Sequence, residues 1–174
     1  KIFIPYGKQS INSKDIENVK KVLGSQFITQ GPLTDAFEQK ISNKVSANYG
    51  VSANSATSAL HIACQSLGLT KGDIMWTSPI SFVASANCGI YCGAKVDFVD
   101  IDAKTGLMSV DKLNEKLISA KKNNCLPKII IPVHLGGNSC DMESIYNLSK
   151  EYKFKIIEDA SHAIGSSYNN NKVG

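Results

Sequence analysis

The stretch Lys155-Ile156-Ile157 is largely apolar and runs directly into Glu158 and Asp159, with His162 close behind. A carboxylate at the end of a core strand is costly unless it is paired, and a protonated ring nitrogen is a fitting partner. A second segment, Ala53-Asn54-Ser55-Ala56-Thr57-Ser58-Ala59, joins an expected strand to a helix start through small and hydroxylated residues. Its small side chains leave the amides of Ala56 and Thr57 open at the electropositive end of the helix, where anions bind well. Hydroxyls of Ser55, Thr57 and Ser58 can add hydrogen bonds, so the segment is a phosphate cradle that needs no arginine. A third segment, Thr77-Ser78-Pro79-Ile80-Ser81-Phe82, places an aromatic ring just beyond another strand, where it can stack on a flat ligand.

Each reading has a plainer alternative. Ser55 could only cap its helix, Phe82 could fill the core, Asp159 could be a cap and His162 a satisfied core histidine. His61 and His134 read as structural, and Asn87 has no firm role. The combination is more specific than its parts: a cradle, an aromatic plate and an aspartate, in that chain order, each at a strand's carboxyl end. Pyridoxal 5′-phosphate needs such a set, because a carboxylate that keeps the pyridine nitrogen protonated makes the ring an electron sink. His162 would then reach the ring hydroxyl. Neither the Gly-x-Gly-x-x-Gly pattern nor a Walker lysine follows any strand, which disfavours nicotinamide-dependent and P-loop readings.

The elements that must position these residues alternate. Apolar spacing predicts helices over 13–24, with Ser13 as N-cap, over 33–46, and over 56–67 with Ala59, Leu60 and Ala63 inward. Strands are expected at 50–53, 73–77, 96–99, 128–133 and 154–157, and further helices from Ser78-Pro79 onward, over 110–121 and over 141–152. Phe82 then falls in a first helical turn. Asn169-Asn170-Asn171-Lys172 reads as a turn between two short strands. Uniformly apolar strands such as Ile129-Ile130-Ile131 predict a parallel sheet covered on both faces. The fold class is α/β, with ligands gathering beyond the carboxyl ends of the strands.

Composition narrows the function classes. The 174 residues carry 43% hydrophobic and 20% charged residues and a net charge of +4, values of an ordinary globular domain rather than a disordered or fibrous chain. All 19 basic residues are lysine, so no arginine fork is available for phosphate or carboxylate. Lys20-Lys21 and Lys121-Lys122 lack flanking aromatics and read as solvated helix faces, not a nucleic-acid surface. The longest apolar run is too short to span a bilayer, and the start lacks a signal peptide's apolar stretch; a cytoplasmic location is the expectation. The five cysteines, Cys64, Cys88, Cys92, Cys125 and Cys140, form no Cys-x-x-Cys pair and read as free thiols without a metal.

The stretches Ile4-Pro5-Tyr6-Gly7, Phe27-Ile28-Thr29-Gln30-Gly31-Pro32, Asn54-Ser55-Ala56-Thr57-Ser58-Ala59-Leu60-His61, Thr77 to Asn87 and Glu158 to Gly165 together resemble the DegT/DnrJ/EryC1/StrS sugar-nucleotide aminotransferases. The resemblance implies the large domain of a fold type I pyridoxal-phosphate transferase, with a substrate-binding segment over about 1–32 and a chain that stops before a C-terminal small domain. It implies that Ser55, Ala56 and Thr57 hold the cofactor phosphate, Phe82 stacks on the ring, Asp159 pairs with its nitrogen, and His162 stands where many relatives have glutamine. Tyr6 and Gln26, Phe27, Ile28 and Thr29 would bind the sugar nucleotide, with Ala56 close by. The implied activity moves an amino group, from L-glutamate, to the 4-keto position of a UDP-linked dideoxy N-acetyl sugar, as in pseudaminic acid synthesis, in a homodimer with shared active sites. The Schiff-base lysine of relatives lies beyond residue 174, so this stretch is expected to be inactive alone. A sugar dehydratase of the same family and a non-catalytic ligand-binding paralogue are the alternatives.

Overall fold

The computed structural model describes residue 3, residue 5 and residues 7–174. The element order is α1 (Ser13–Leu23), α2 (Pro32–Val45), α3 (Ala56–Ser66), β1 (Ile74–Thr77), α4 (Ala84–Tyr91), β2 (Lys95–Phe98), α5 (Val110–Lys122), β3 (Ile129–Ile131), α6 (Met142–Tyr152), β4 (Lys155–Ile156), β5 (Ser167–Tyr168) and β6 (Asn171–Lys172). The central sheet has the order β2-β1-β3-β4, and every pairing in it is parallel.

Side chains alternate across this sheet, as strand geometry requires. Met75, Ile129 and Ile131 point to one face and pack with Leu60, Cys64 and Cys88 from α3 and α4. Trp76 and Ile130 point to the other and pack with Leu113, Leu117 and Ile145 from α5 and α6. Both faces are covered at the centre of the sheet, which is why β3 is apolar throughout and β1 is apolar up to Thr77. The α4 contact is close: a Cβ at Gly89 would sit 2.7 Å from Met75 Cε and 2.9 Å from Val96 Cγ2. The small β5–β6 hairpin turns at Asn169 and Asn170, with φ of 47° and 64°, the left-handed conformation that two-residue hairpins need and asparagine tolerates.

Four expectations are corrected. Residues 50–53 form no strand, because the Ser52 amide and hydroxyl both donate to Glu38 Oε1 at 2.7 Å instead of joining a ladder. Those two bonds, the amide's first, hold the Glu38 carboxyl below its ordinary range. Helix α4 starts at Ala84 rather than at Pro79, so Phe82 belongs to the connecting loop. Helix α1 is capped by Asn12, not Ser13: Asn12 Oδ1 accepts from the Lys14 and Asp15 amides, and Asp15 accepts from the Asn12 amide, a reciprocal capping box. On α3, Leu60 is buried and Ala63 half-buried, but Ala59 faces outward, and Cys64 takes the buried position instead.

Candidate active site

The carboxyl ends of β1, β3 and β4 and the start of α3 surround a cleft of about 560 Å³. Ala56, Thr57, Phe82, Asp159 and His162 all line it, together with Ser81, His134 and Ser161. The three segments singled out in the sequence therefore meet in one place. Each arrives by a separate element: Ala56 and Thr57 by the first turn of α3, Phe82 by the loop after β1, Asp159 by the segment after β4.

Ser55 is a helix cap, with its Oγ accepting the Ser58 amide at 3.2 Å. The Ala59 amide bonds to the Ser55 carbonyl. Among the described residues, the Ala56 and Thr57 amides have no protein acceptor. Capping and cradle are thus compatible, because the cap satisfies the third amide of the turn and leaves the first two free. Phe82 is 70% exposed, which rules out a core role. His162 is also exposed, and its Nδ1 accepts the Gly136 amide at 3.4 Å. A neutral imidazole that accepts at Nδ1 carries its proton on Nε2, so the free nitrogen is a donor. Gly137 makes this approach possible: its φ is +87°, and a Cβ there would lie 3.1 Å from the His162 carbonyl oxygen.

Asp159 is 6% exposed and is fixed at both ends. Its backbone extends the β3–β4 pairing, with its amide on Pro132 O and its carbonyl on the His134 amide, each at 3.0 Å. Its carboxylate accepts Ser85 Oγ at 2.6 Å on Oδ2, and Ser161 Oγ at 2.6 Å and the Ser161 amide at 3.2 Å on Oδ1. No helix follows it, so its side chain shapes an Asx-type turn rather than a helix cap. Three donors offset the desolvation of a buried carboxylate, and none of them carries a charge.

Sequence reasoning missed this supporting set. Ser161 had a signal, two positions after an aspartate, where Asx turns find their donors. Ser85 had none, since it lies 74 residues from Asp159 in the chain. His134 is fully buried between Glu158 Oε2, 2.9 Å from Nε2, and the Cys140 amide, which donates to Nδ1 at 3.1 Å. Burial disfavours the cation, whereas the contacts with Cys140 and Glu158 favour it, with a net upward direction. A second proton would have to displace the Cys140 amide, so the ring is read as the neutral Nε2–H tautomer that donates to Glu158.

Phe27, Ile28 and Thr29 line a separate groove of about 270 Å³ beside α1, and Gln26 is exposed next to it. Within one chain they do not join the cleft. Tyr6 lies outside the described residues. No described helix is long and apolar enough to cross a membrane, and among the described residues no group of three or more His, Cys, Asp or Glu could hold a metal ion. The cysteines are free thiols, with Cys64, Cys88 and Cys140 buried and Cys92 and Cys125 half-buried.

The structure is an α/β domain with a cleft at the carboxyl ends of its parallel strands, the place where open α/β sheets take ligands. Residues 9–174 match the DegT/DnrJ/EryC1/StrS aminotransferase family, and the chain belongs to it. It is 40% identical over 171 residues to the UDP-4-amino-4,6-dideoxy-N-acetyl-beta-L-altrosamine transaminase of Campylobacter jejuni subsp. jejuni serotype O:23/36, covering 98% of this chain and 44% of that relative. It is 38% identical over 172 residues to the UDP-4-amino-4-deoxy-L-arabinose–oxoglutarate aminotransferase of Shewanella sediminis, covering 99% of this chain and 43% of that one. A Streptococcus pneumoniae structure named as a sugar aminotransferase in its PLP-form superposes with a TM-score of 0.87 at 29% identity, covering 98% of this chain and 46% of the other. The chain thus spans less than half the length of the relatives it matches.

Proposed function

We propose that this chain is part of a pyridoxal-phosphate-dependent aminotransferase that moves an amino group onto the keto carbon of a UDP-linked sugar. The observation that carries the reading is the shared cleft, in which the buried Asp159 carboxylate and the exposed Phe82 ring meet the two free amides of α3. The fit to the cofactor is chemical. Two unpaired N–H groups at a helix start suit a phosphate, an exposed aromatic face suits a flat ring, and among the described residues Asp159 Oδ2 accepts one protein hydrogen bond, so it can take another donor.

When bound, the cofactor supplies an electron sink for the carbon that gains or loses the amino group. Ala56 and Thr57, with the Ser55 cap beside them, hold the phosphate. Phe82 stacks on the ring and keeps water from that face. Asp159 holds the proton on the ring nitrogen, and the Nε2–H of His162 donates to the ring hydroxyl. Tyr6 and Gln26 to Thr29 contact the sugar nucleotide, with Ala56 at the boundary between the two ligands. We extend the reading to a UDP-linked 4-keto dideoxy N-acetyl sugar of the pseudaminic acid type, to L-glutamate as donor, and to a homodimer with shared sites. The similarity to the Campylobacter transaminase supports the sugar, and the Shewanella name supports the donor.

No lysine lines the cleft among the described residues. Residues 1–174 by themselves are therefore proposed to bind the cofactor without turning over. Titrating the whole protein with pyridoxal 5′-phosphate and then L-glutamate tests the reading: the visible absorbance should change on each addition. An absorbance indifferent to glutamate would overturn it, as would near-normal turnover in the Asp159→Ala variant.

A further inference from the structure

Asp159 touches three protein donors, and their distribution is unequal. Among the described residues, Oδ1 takes both Ser161 donors, at 2.6 and 3.2 Å, and Oδ2 takes only Ser85 Oγ, at 2.6 Å. A carboxylate oxygen offers about two acceptor directions, so Oδ1 is filled and Oδ2 keeps one open. Ser85 is 1% exposed, in the first turn of α4, and its Oγ also lies 2.8 Å from Ser81 Oγ, which lines the cleft. A serine hydroxyl has a single proton. Ser85 gives it to the carboxylate, so in the other contact Ser85 accepts and Ser81 donates. The hydroxyl chain runs one way, from the cleft wall through Ser85 to the anion.

We infer that Ser85 is a positioning residue that aims Asp159 Oδ2 at the ring nitrogen of the cofactor, with Ser81 polarising Ser85 from the cleft side. This rests on the pyridoxal-phosphate reading above. Without Ser85, the Oδ2 side of the carboxylate loses its one donor among the described residues, and Ser161 is left to set the orientation about Cβ–Cγ. The neighbouring titratable groups do not replace it. Cys88 on α4 accounts for its own hydrogen bond, to the Ser85 carbonyl at 3.4 Å. His134 meets Asp159 through backbone only, and His162 bonds to the Gly136 amide.

The test uses two probes that need no covalent link to the protein: pyridoxamine 5′-phosphate and its 1-deaza analogue, in which a C–H replaces the ring nitrogen. Dissociation constants are measured by calorimetry for the intact protein and for Ser85→Ala, Ser85→Thr, Ser81→Ala and Asp159→Asn. The unsubstituted protein should prefer the nitrogen-bearing probe. Ser85→Ala should cut that preference about tenfold, the scale of a hydrogen bond to a charged group, while affinity for the deaza analogue stays within about twofold. Ser85→Thr, which keeps the hydroxyl, should restore the preference. Ser81→Ala should lower it about two- to threefold, and Asp159→Asn should abolish it. Ser85→Ala with an unaltered preference, or with equal losses for both probes, overturns the inference and leaves the cofactor reading standing. If Ser85→Ala does not fold, an unaltered preference in Ser81→Ala overturns it. If the unsubstituted protein binds neither probe, the cofactor reading fails and the inference falls with it.

Discussion

Helices α1 and α5 are both amphipathic, and they fare differently. In α5, Leu113 and Leu117 are fully buried against the sheet. In α1, Ile16, Val19 and Leu23 repeat at the same helical spacing yet remain 52%, 58% and 69% exposed, and the helix buries no residue. Local signals are if anything stronger in α1, which carries a full capping box, whereas α5 has a single serine cap at Ser109. The contrast separates two things that sequence patterns combine. Caps and periodicity decide that a segment is helical and which side is apolar. Whether that side is buried depends on a second surface, which the sheet provides for α5.

Four measurements can break or sharpen this contrast. Leu117→Ala should cost about 2–5 kcal/mol in urea denaturation, the range for emptying a packed core site, while Leu23→Ala should cost less than about 0.5 kcal/mol; equal losses would mean that α1 is packed in solution. Asp159→Ala orphans the Ser85 and Ser161 donors, so the apoprotein should lose about 1–3 kcal/mol by the same method, less than Leu117→Ala because a cleft admits water. Asn12→Ala should cost about 1 kcal/mol, but the loss should be confined to α1. Amide exchange would quicken in residues 13–23 and stay unchanged in β3, and acceleration in both would join the two regions energetically.

The smallest effect is expected from Asp73, whose hydrogen bonds to Lys128 Nζ at 2.8 Å and to the Thr70 amide hold its carboxyl below the ordinary 3.8 despite partial burial. A depressed folded-state pKa means stability that is present above about pH 4 and lost as the pH falls through the folded value. Both partners are partly solvated, so the share of the loss between pH 5 and 2 that Asp73 carries should stay under about 1 kcal/mol, read as the difference between the unsubstituted protein and Asp73→Asn, in which that share is absent.

The alternation of helices and strands was legible because each carries its own period, and the all-apolar Ile129-Ile130-Ile131 announced a sheet covered on both faces. Two of the misreadings share a cause. Residues 50–53 look extended, yet the Ser52 amide is taken by a glutamate fourteen residues earlier. Ser78-Pro79 looks like a helix start, but the turn opens only at Ala84, next to the Ser81–Ser85–Asp159 hydroxyl chain. In both places a side chain distant in sequence competes with local preference, and local reading cannot see it.

By itself the sequence determined the chemical inventory: which residue types stand at which strand ends, and that each segment can be helix or strand. Those properties follow from backbone sterics and from side-chain period, which act over a few residues. Only the tertiary structure decided that Ala56, Phe82, Asp159 and His162 share one cleft, that Phe82 faces solvent and not the core, and that Asp159 is oriented by Ser85 and Ser161. Strand order and crossover set those distances, and hydrogen bonds between residues far apart in the chain exist only once the sheet has formed.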